Sequence, residues 1–478
     1  MLALRRLGFA VAILGAAQSA HGQYLWQDPY KNDSKVAPAP GSFWTPTVEL
    51  PAITRPPSAA PAPSAAGALT LPELTEYALR NNPRTREAWL AARAAAAGVS
   101  IERADLLPQI SGLYNVTRLQ QASATTGTVV PWQTRWGPSI SFSYLLFDFG
   151  ARSAQVDAAQ YRLLAANLSQ NRVLQDVVFQ VEQAYYRLIG TDALVKVNEQ
   201  TLQNLKTAYD AAQRRRESGL ATAADVYRAE TQVAQAQVNL TRTRGELEKA
   251  RGLLANAAGL PVNGSLRIAP ITGAPHTDEI TSSVADLLER AKQTRPDLVA
   301  AEAQARASRA TAQAVSKATL PSIEVTGSAG RVIFPDNRPV VPTYNIGLNL
   351  RIPLFTGFRD TYSVRQAEAQ AAQAEAARDR LYHQTELDVW QAYYDLQTAA
   401  SEIASTATQV KSAEQTSHAT LARYQAGFGT LLDLITAQLD ESNAKVQQVQ
   451  SYLDWYTAVS RLNFSVGLND LMMAGDKK

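Results

Sequence analysis

"VEQAYYRL" at residues 181–188 and "VWQAYYDL" at residues 389–396 are nearly the same eight-residue segment, present twice in one chain. The two segments start 208 positions apart, and the same offset joins further identical residues: Phe147 with Phe355, Gly219 with Gly427, and Gly259 with Gly467. Near the start of each half the offset is 213, which pairs Pro83 with Pro296 and Pro108 with Pro321. Several matches at one offset predict a tandem repeat of a structural unit of about 200 residues.

Apolar residues recur every seven positions in the segments after residues 150 and 359. They are Leu174, Val181, Leu188, Val195, Leu202 and Tyr209 in the first copy, and Tyr382, Val389, Leu396, Ile403, Val410 and Tyr424 in the second, with Ser417 in phase. A seven-residue repeat of this length predicts helices that supercoil around their neighbours. No proline interrupts 150–216 or 359–425. We therefore expect two uninterrupted helices, each about 100 Å long.

Glycine and threonine residues mark the ends of these helices. Gly219 and Gly427 follow the expected C-termini, where glycine commonly ends a helix. Thr222 and Thr430 can cap the next helices, expected over 222–258 and 430–467. Each copy should thus contain a long helical hairpin with a tight turn. Alanine-rich stretches at 84–106 and 297–319 predict one shorter helix before each Leu-Pro pair.

Between each Leu-Pro pair and the long helix, the apolar pattern changes to a period of two, which predicts strands. Apolar residues alternate with polar or small ones in 343–354 and 133–147, and more weakly in 109–119 and 322–333. The loops between these strands fall near 120–131 and 334–342. Here the repeat offset changes by five residues, and loop tips tolerate such length differences.

Strands with one apolar face and one small or polar face match those that cross a bilayer in a barrel with a wet interior. Trp132, Trp136 and Tyr144 are then candidate interface aromatics. The alternative is a half-exposed soluble sheet packed on a helix. Four strands cannot close a barrel, and lipid offers no water to a free strand edge. Two chains would give a filled eight-stranded barrel, whereas three chains give twelve strands and an aqueous lumen. We therefore expect an α+β membrane protein that forms a homotrimer.

The N-terminus has two arginines, Arg5 and Arg6, followed by a short apolar run and small residues before Gln23. This order predicts a signal peptide over 1–22, and the shortness of the run argues against the alternative of a membrane anchor. The Pro/Ala-rich segment 23–68 predicts an extended linker. The two repeats are then expected over 69–270 and 284–470.

The composition excludes several classes of function. The net charge of +3 gives no basic footprint for nucleic acid. The chain has no cysteine, and its four histidines are scattered, so neither thiolate nor paired-histidine metal sites are expected. No phosphate-binding, zinc-protease or nucleophile-elbow motif occurs, so we expect no enzyme and no cofactor. A coiled-coil structural protein of the periplasm or cell surface would explain the seven-residue repeat but leaves the alternating strands unexplained.

The paired segments resemble the TolC family of outer-membrane efflux and secretion channels over about 69–470. The likeness lies in "NNP" and "TRP", "LLPQISG" and "LPSIEVTG", "LLFDFGAR" and "PLFTGFRD", the two "QAYY" segments, and "GLATAADVYRAE" with "GFGTLLDLITAQ". The resemblance implies a trimer with a twelve-stranded barrel in the outer membrane of a Gram-negative bacterium, continued by a periplasmic α-helical barrel of coiled-coil hairpins. It also implies a passive exit duct for small molecules or proteins. The resemblance further implies a tunnel that is closed at rest and opens when a periplasmic adaptor (membrane fusion) protein and an inner-membrane RND pump or ABC exporter dock.

By the same resemblance, Tyr424 and Asp433 match positions at the periplasmic entrance of the tunnel, and Asp225 lies at the equivalent tip of the first hairpin. Three copies of an acid around a narrow opening would favour cations. The alternative is that Asp225 and Asp433 only stabilise the starts of their helices. The chain departs from the family pattern at Gly429 and Thr436, where an arginine latch and a second aspartate are expected. Gly219, Thr222, Gly427 and Thr430 are assigned to turn geometry and adaptor docking.

Overall fold

A computed structural model of the chain describes residues 68–120, 127, 129, 131–262, 267–269, 283–335 and 339–468. The first half contains α1 (Leu71–Asn81), α2 (Pro83–Ala104), β1 (Gln109–Leu119), β2 (Gln133–Phe147), α3 (Ala151–Glu217) and α4 (Ala223–Ala257). The second half contains α5 (Val284–Thr294), α6 (Pro296–Lys317), β3 (Ser322–Val332), β4 (Val341–Arg351), α7 (Arg359–Gln425) and α8 (Leu431–Val466). The expected signal peptide over 1–22 lies outside the described residues, as does the linker before Ala68.

The long helices α3 and α7 have 67 residues each, and each turns into a shorter partner helix through a tight loop. The turn glycines Gly219 and Gly427 adopt φ values of 72° and 87°, a left-handed conformation that glycine reaches without strain. Positions of the predicted seven-residue repeat are buried along both helices: Val181, Leu188, Val195, Leu202, Val389, Leu396, Ile403 and Val410. These positions therefore form the packed side of both helices, and the supercoiling of the helices stays a prediction.

Each of the predicted short helices is preceded by another helix that the sequence patterns did not indicate. The helices α1 and α2 meet at Asn82, and α5 and α6 meet at Arg295; both residues are extended because each precedes a proline. Gly259 and Gly467 lie directly against these corners, with φ values of 73° and 82°. A Cβ on Gly467 would lie 2.9 Å from the carbonyl oxygen of Thr294, so only glycine fits there.

The four strands form one antiparallel sheet in the order β1-β2-β3-β4. A bulge between Leu145 and Phe147 ends the pairing of β2 with β3 next to the start of α3. The strand β4 covers Val341–Arg351, so the prediction of a strand over 343–354 is wrong at both ends. Pro353 lacks the N–H that would continue the ladder, and Pro342 is tolerated at the very start of β4.

The helices pack side by side in a fixed order. Next to the sheet, α2 packs against α3, α3 against α6, and α6 against α7. Further from the sheet the order is α4, α3, α8 and α7. The largest buried cluster runs along α3 and α4 and includes Leu205, Leu240 and Leu254. None of the described helices is long and apolar enough to cross a membrane.

Candidate functional site

The sheet has two chemically different faces. Because directly opposed residues in an antiparallel pair share a face, the strand register assigns every side chain to one of them. The apolar face carries Ile110, Tyr114, Val116, Trp136, Ile140, Phe142, Tyr144, Ile323, Val325, Ala329, Tyr344, Ile346, Leu348 and Leu350, with small residues between them. Its polar exceptions are Arg118, Thr134 and Arg331. The polar face carries Ser111, Asn115, Thr117, Ser139, Ser141, Ser143, Glu324, Thr326, Ser328, Thr343, Asn345 and Asn349, with the apolar residues Leu113, Leu119, Leu145, Val332 and Val341 as exceptions.

No helix of the described chain covers the apolar face. Tyr344 is 81% exposed and Ile346 is 85% exposed. Soluble monomers rarely leave a contiguous apolar surface of this kind open, so a lipid or protein surface must cover it. Two of the predicted interface aromatics, Trp136 and Tyr144, lie on this face, and Trp132 immediately precedes β2. The alternative of a soluble sheet packed on a helix does not match this arrangement.

Among the described residues, both the sheet and the rows of helices end without a further partner. The strands β1 and β4 each have one unpaired edge. The helices α2 and α7 end the row next to the sheet, and α4 and α7 end the row further from it. Large apolar side chains are exposed on these end helices: Trp89 and Leu90 on α2, and Leu387, Trp390 and Tyr394 on α7. The chain thus has two open sides, each carrying a strand edge and an apolar helix surface.

The hairpin tips place the predicted aspartates in capping boxes. Asp225 Oδ2 accepts hydrogen bonds from Thr222 N at 3.1 Å and Thr222 Oγ1 at 2.7 Å, while Asp225 N donates to Thr222 Oγ1 at 3.2 Å. Thr430 and Asp433 repeat this geometry at 3.2, 2.7 and 3.1 Å. The threonine hydrogen bonds lower the pKa of both carboxyl groups. This is the geometry of helix-start stabilisation, and the contribution of these carboxylates to an acidic ring stays a prediction.

Tyr424 is buried between the two hairpins, at 4% exposure. Arg215, in the last turn of α3, donates from Nη1 to the backbone oxygen of Tyr424 at 2.8 Å. Its guanidinium carbon lies 4.7 Å from the centroid of the Tyr424 ring, a cation–π contact. Burial raises the pKa of the Tyr424 hydroxyl. Arg215 therefore joins the end of the first hairpin to the end of α7. The run Arg214–Arg216 was its only sequence signal.

The turns themselves expose apolar side chains. Leu220, directly after Gly219, is 69% exposed, and Phe428, directly after Gly427, is 81% exposed. Tyr227 and Leu432 are exposed within the first two turns of the helices that follow. Each tip therefore presents a small apolar surface at the end of a rigid hairpin.

A buried ionic cluster, also missed by sequence reasoning, fixes the corner between α5 and α6. Arg295 binds Asp297 at 2.6 Å and Asp388 on α7 at 3.1 Å, and Arg172 on α3 lies 3.8 Å from Asp297. Burial would raise the pKa of Asp297, but hydrogen bonds from Arg295 and the charges of both arginines hold it below its ordinary value. The cluster joins α3, α6 and α7. Within the described residues, no group of three histidine, aspartate or glutamate side chains could hold a metal ion.

Comparison with known proteins gives consistent matches. The model of the family described as outer membrane efflux protein matches residues 74–260 and 287–468. Protein CyaE of Bordetella pertussis is 28% identical over 387 residues, covering 80% of each chain. Outer membrane efflux protein BepC of Brucella suis is 25% identical over 386 residues, covering 79% of this chain and 80% of its own.

Solved structures share the fold. The CmeC outer membrane channel of Campylobacter jejuni superimposes with a TM-score of 0.76 at 17% identity, covering 88% of this chain and 94% of its own. The outer membrane protein VceC of Vibrio cholerae gives a TM-score of 0.73 at 22% identity, covering 84% and 96%.

Proposed function

Because the chain belongs to the outer membrane efflux protein family, we propose that it forms, as a homotrimer, the passive exit duct of a tripartite efflux pump or a type I secretion system. It catalyses no reaction and needs no cofactor. The sheet lies in the outer membrane of a Gram-negative bacterium, with the apolar face towards lipid and the polar face towards a lumen. The helices extend into the periplasm, where an adaptor (membrane fusion) protein and an RND pump or ABC exporter dock.

The observation that carries this proposal is the pair of open sides. The unpaired edge of a strand has no water to bind in lipid, so β1 and β4 need partners there. Three copies of the four-stranded sheet make twelve strands, enough for a lumen that can hydrate the serine, threonine and asparagine side chains of the polar face. Two copies would give eight strands, whose interior is filled by side chains. A coiled-coil structural protein has no use for the exposed apolar face.

The contacts between the two halves of one chain indicate which contacts form between subunits. Inside the chain, β2 pairs with β3, and α3 packs against α6. We infer that each half is one copy of a repeated unit. The equivalent contacts between subunits are then β4 with β1, and α7 with α2. The exposed Trp89 of α2 would be covered by α7 in that joint. Trp390 and Tyr394 of α7 are equivalent to Glu182 and Tyr186, which contact α8, so these two side chains would be covered by α4 of the neighbouring subunit.

This equivalence yields the register between subunits. Ile140 on β2 lies opposite Ala329 on β3. Adding 208 to the first number and subtracting 213 from the second gives Leu348 on β4 and Val116 on β1. Both residues belong to the apolar face, as a lipid-facing joint requires. The neighbouring pair Ser141 and Ser328 gives Asn349 and Asn115, both on the polar face.

Disulfide crosslinking tests this joint, because the chain has no cysteine of its own. The double variant Leu348→Cys/Val116→Cys, extracted from outer membranes and mildly oxidised, should run as covalent dimers and trimers on a denaturing gel. The pair Leu348→Cys/Ile110→Cys is the matched control, since six residues along β1 displace its partner by about 20 Å. Crosslinking of the control pair alone, or a purified chain that remains a water-soluble monomer, would contradict the proposed assembly.

At the periplasmic tips we assign two roles. Asp225, Tyr424 and Asp433 form the tunnel entrance, and the Arg215–Tyr424 contact keeps the two hairpins of one chain together while the tunnel is closed. Arg215 would thereby replace the arginine that Gly429 does not supply. Gly219, Thr222, Gly427 and Thr430 shape the turns that present Leu220 and Phe428 to the adaptor.

A further inference from the structure

The two ends of the sheet differ in what they adjoin. All four strands connect to helices at one end, and the opposite end carries the β1–β2 and β3–β4 loops. On the proposed function, on which this inference rests, the helix end faces the periplasm. The loop end of the apolar face therefore lies at the outer leaflet of the outer membrane.

Two arginines interrupt the apolar face at this loop end. Arg118 lies opposite Thr134 and two positions beyond Val116. Arg331 lies opposite Pro342 and two positions beyond Ala329. Both side chains are exposed, and within the described part of the chain neither takes part in a salt bridge. The only carboxylate in the four strands, Glu324, is on the polar face near the helix end. The apolar face therefore carries positive charge at the loop end, and no carboxylate of the four strands neutralises it there.

Aromatic side chains accompany these arginines. The guanidinium carbon of Arg118 lies 5.6 Å from the centroid of the Trp132 ring. Tyr344 lies two positions from Pro342, the partner of Arg331, on the same face. An arginine stacked on a ring still presents its N–H edge to a planar or tetrahedral anion. Arginine is costly in the hydrocarbon centre but tolerated at the interface, where tryptophan and tyrosine also concentrate.

We propose that Arg118 and Arg331, flanked by Trp132 and Tyr344, form a binding surface for the phosphate groups of lipids in the outer leaflet. The two α-carbons lie two strands and four residues apart, or about 16 Å. Each guanidinium can therefore take a separate phosphate through paired N–H···O bonds. A trimer would carry six such arginines around the barrel. The continuity of this surface with the apolar face favours a lipid over an acidic protein, which would have to dock beside acyl chains.

The test measures binding of diphosphoryl lipid A to the full-length trimer in detergent micelles by native mass spectrometry. The crosslink between Leu348 and Val116 first establishes the trimer for every variant. The double variant Arg118→Gln/Arg331→Gln should bind at least about tenfold more weakly, because hydrogen bonds between charged groups are lost. Lipid A without its phosphates should bind the natural chain with a similar loss. Arg135→Gln is the matched control, since Arg135 is at the same end but on the polar face, opposite Thr117.

Unchanged lipid A binding in the Gln double variant, or an equal loss in Arg135→Gln, would overturn this proposal and leave the channel assignment intact. Displacement of lipid A by inorganic phosphate alone at matched concentration would also overturn it, because the site would then serve the free ion. If the Gln variant fails to assemble, Arg118→Lys/Arg331→Lys keeps the charge but loses paired hydrogen bonding. This variant should show a smaller but measurable loss, and full binding would count against the site. Absence of the trimer in the natural chain would instead refute the proposed function.

Discussion

Removal of the Arg215 side chain should favour the open state of the channel. This residue contacts the second hairpin twice, through the hydrogen bond of 2.8 Å to the backbone oxygen of Tyr424 and through the ring at 4.7 Å. Arg215→Ala abolishes both contacts. Tyr424→Leu removes only the ring, because the backbone oxygen remains.

The size of the effect follows from the two contacts. A hydrogen bond from a charged group contributes about 1.5–3 kcal/mol, and a partly exposed cation–π contact about 0.5–1 kcal/mol. Arg215 is only half-buried, so solvent screening favours the lower end, a total of about 2 kcal/mol per chain. Since about 1.4 kcal/mol corresponds to a tenfold change, each chain should shift its closed-to-open equilibrium about thirtyfold. Tyr424→Leu, which removes only the ring contact of about 0.5 kcal/mol, should shift it about twofold.

Single-channel recording in planar bilayers measures this shift directly. The Arg215→Ala trimer should show longer openings and higher mean conductance than the natural trimer. Arg214→Ala is the matched control, because this neighbouring arginine is exposed and lacks the contact with Tyr424. If a crosslinked Arg215→Ala trimer conducts as the natural one does, Arg215 does not hold the entrance closed. An equal increase in the Arg214→Ala trimer would show that only loss of positive charge matters.

Two further predictions concern the seam and the tip. Val389 is 0% exposed in the second hairpin, so Val389→Lys should cost several kcal/mol by burying an unpaired charge and should abolish the crosslinked trimer. The pKa of Asp433 is lowered by its hydrogen bonds with Thr430, so this carboxylate stabilises the tip above the ordinary pKa of aspartate and loses that effect as the pH falls below about 4. Amide exchange around Thr430, corrected for its intrinsic pH dependence, should therefore increase in acid, and Asp433→Asn should remove this acid response. The same variant should reduce the cation preference of the channel, and an unchanged reversal potential would exclude Asp433 from the entrance.

The elements that local patterns define were predictable from sequence. The long helix over Arg359–Gln425 has the predicted bounds, and α3 differs from its prediction by one residue at each end. Helices of this length need only a sustained seven-residue period and the absence of proline, both of which can be read directly from the chain. The strands β1 and β2 also have their predicted bounds. The predicted bounds are wrong where a proline ends an element but the hydrophobic alternation continues beyond it. The end of β4 is an example, because the alternation continues past Pro353.

Features that depend on contacts between distant residues were not predictable in the same way. Arg215 and Tyr424 are far apart in sequence, and the run of three arginines at the end of α3 reads equally well as a solvated face. The corner at Arg295 is similar, because Asp388 comes from α7 and Arg172 from α3, both far from Arg295 in sequence. A pattern with period two or seven reports the neighbours of a residue along one element. It carries no information on which other helix brings the opposite charge.

The same limitation explains why composition gave little sign of the membrane. The mean hydropathy of −0.20 is that of a soluble protein. On the proposed assembly, lipid contacts only one face of four strands, whereas the opposite face and the helices contact water or other helices. The wall is one layer of sheet and helix thick, and at least one of its sides contacts water along its whole length. An apolar surface on one side is therefore accompanied by a polar surface on the other. Membrane insertion in such a protein depends on the register that sorts side chains between faces, and a shift of one residue in β4 would place Asn345 and Asn349 in lipid.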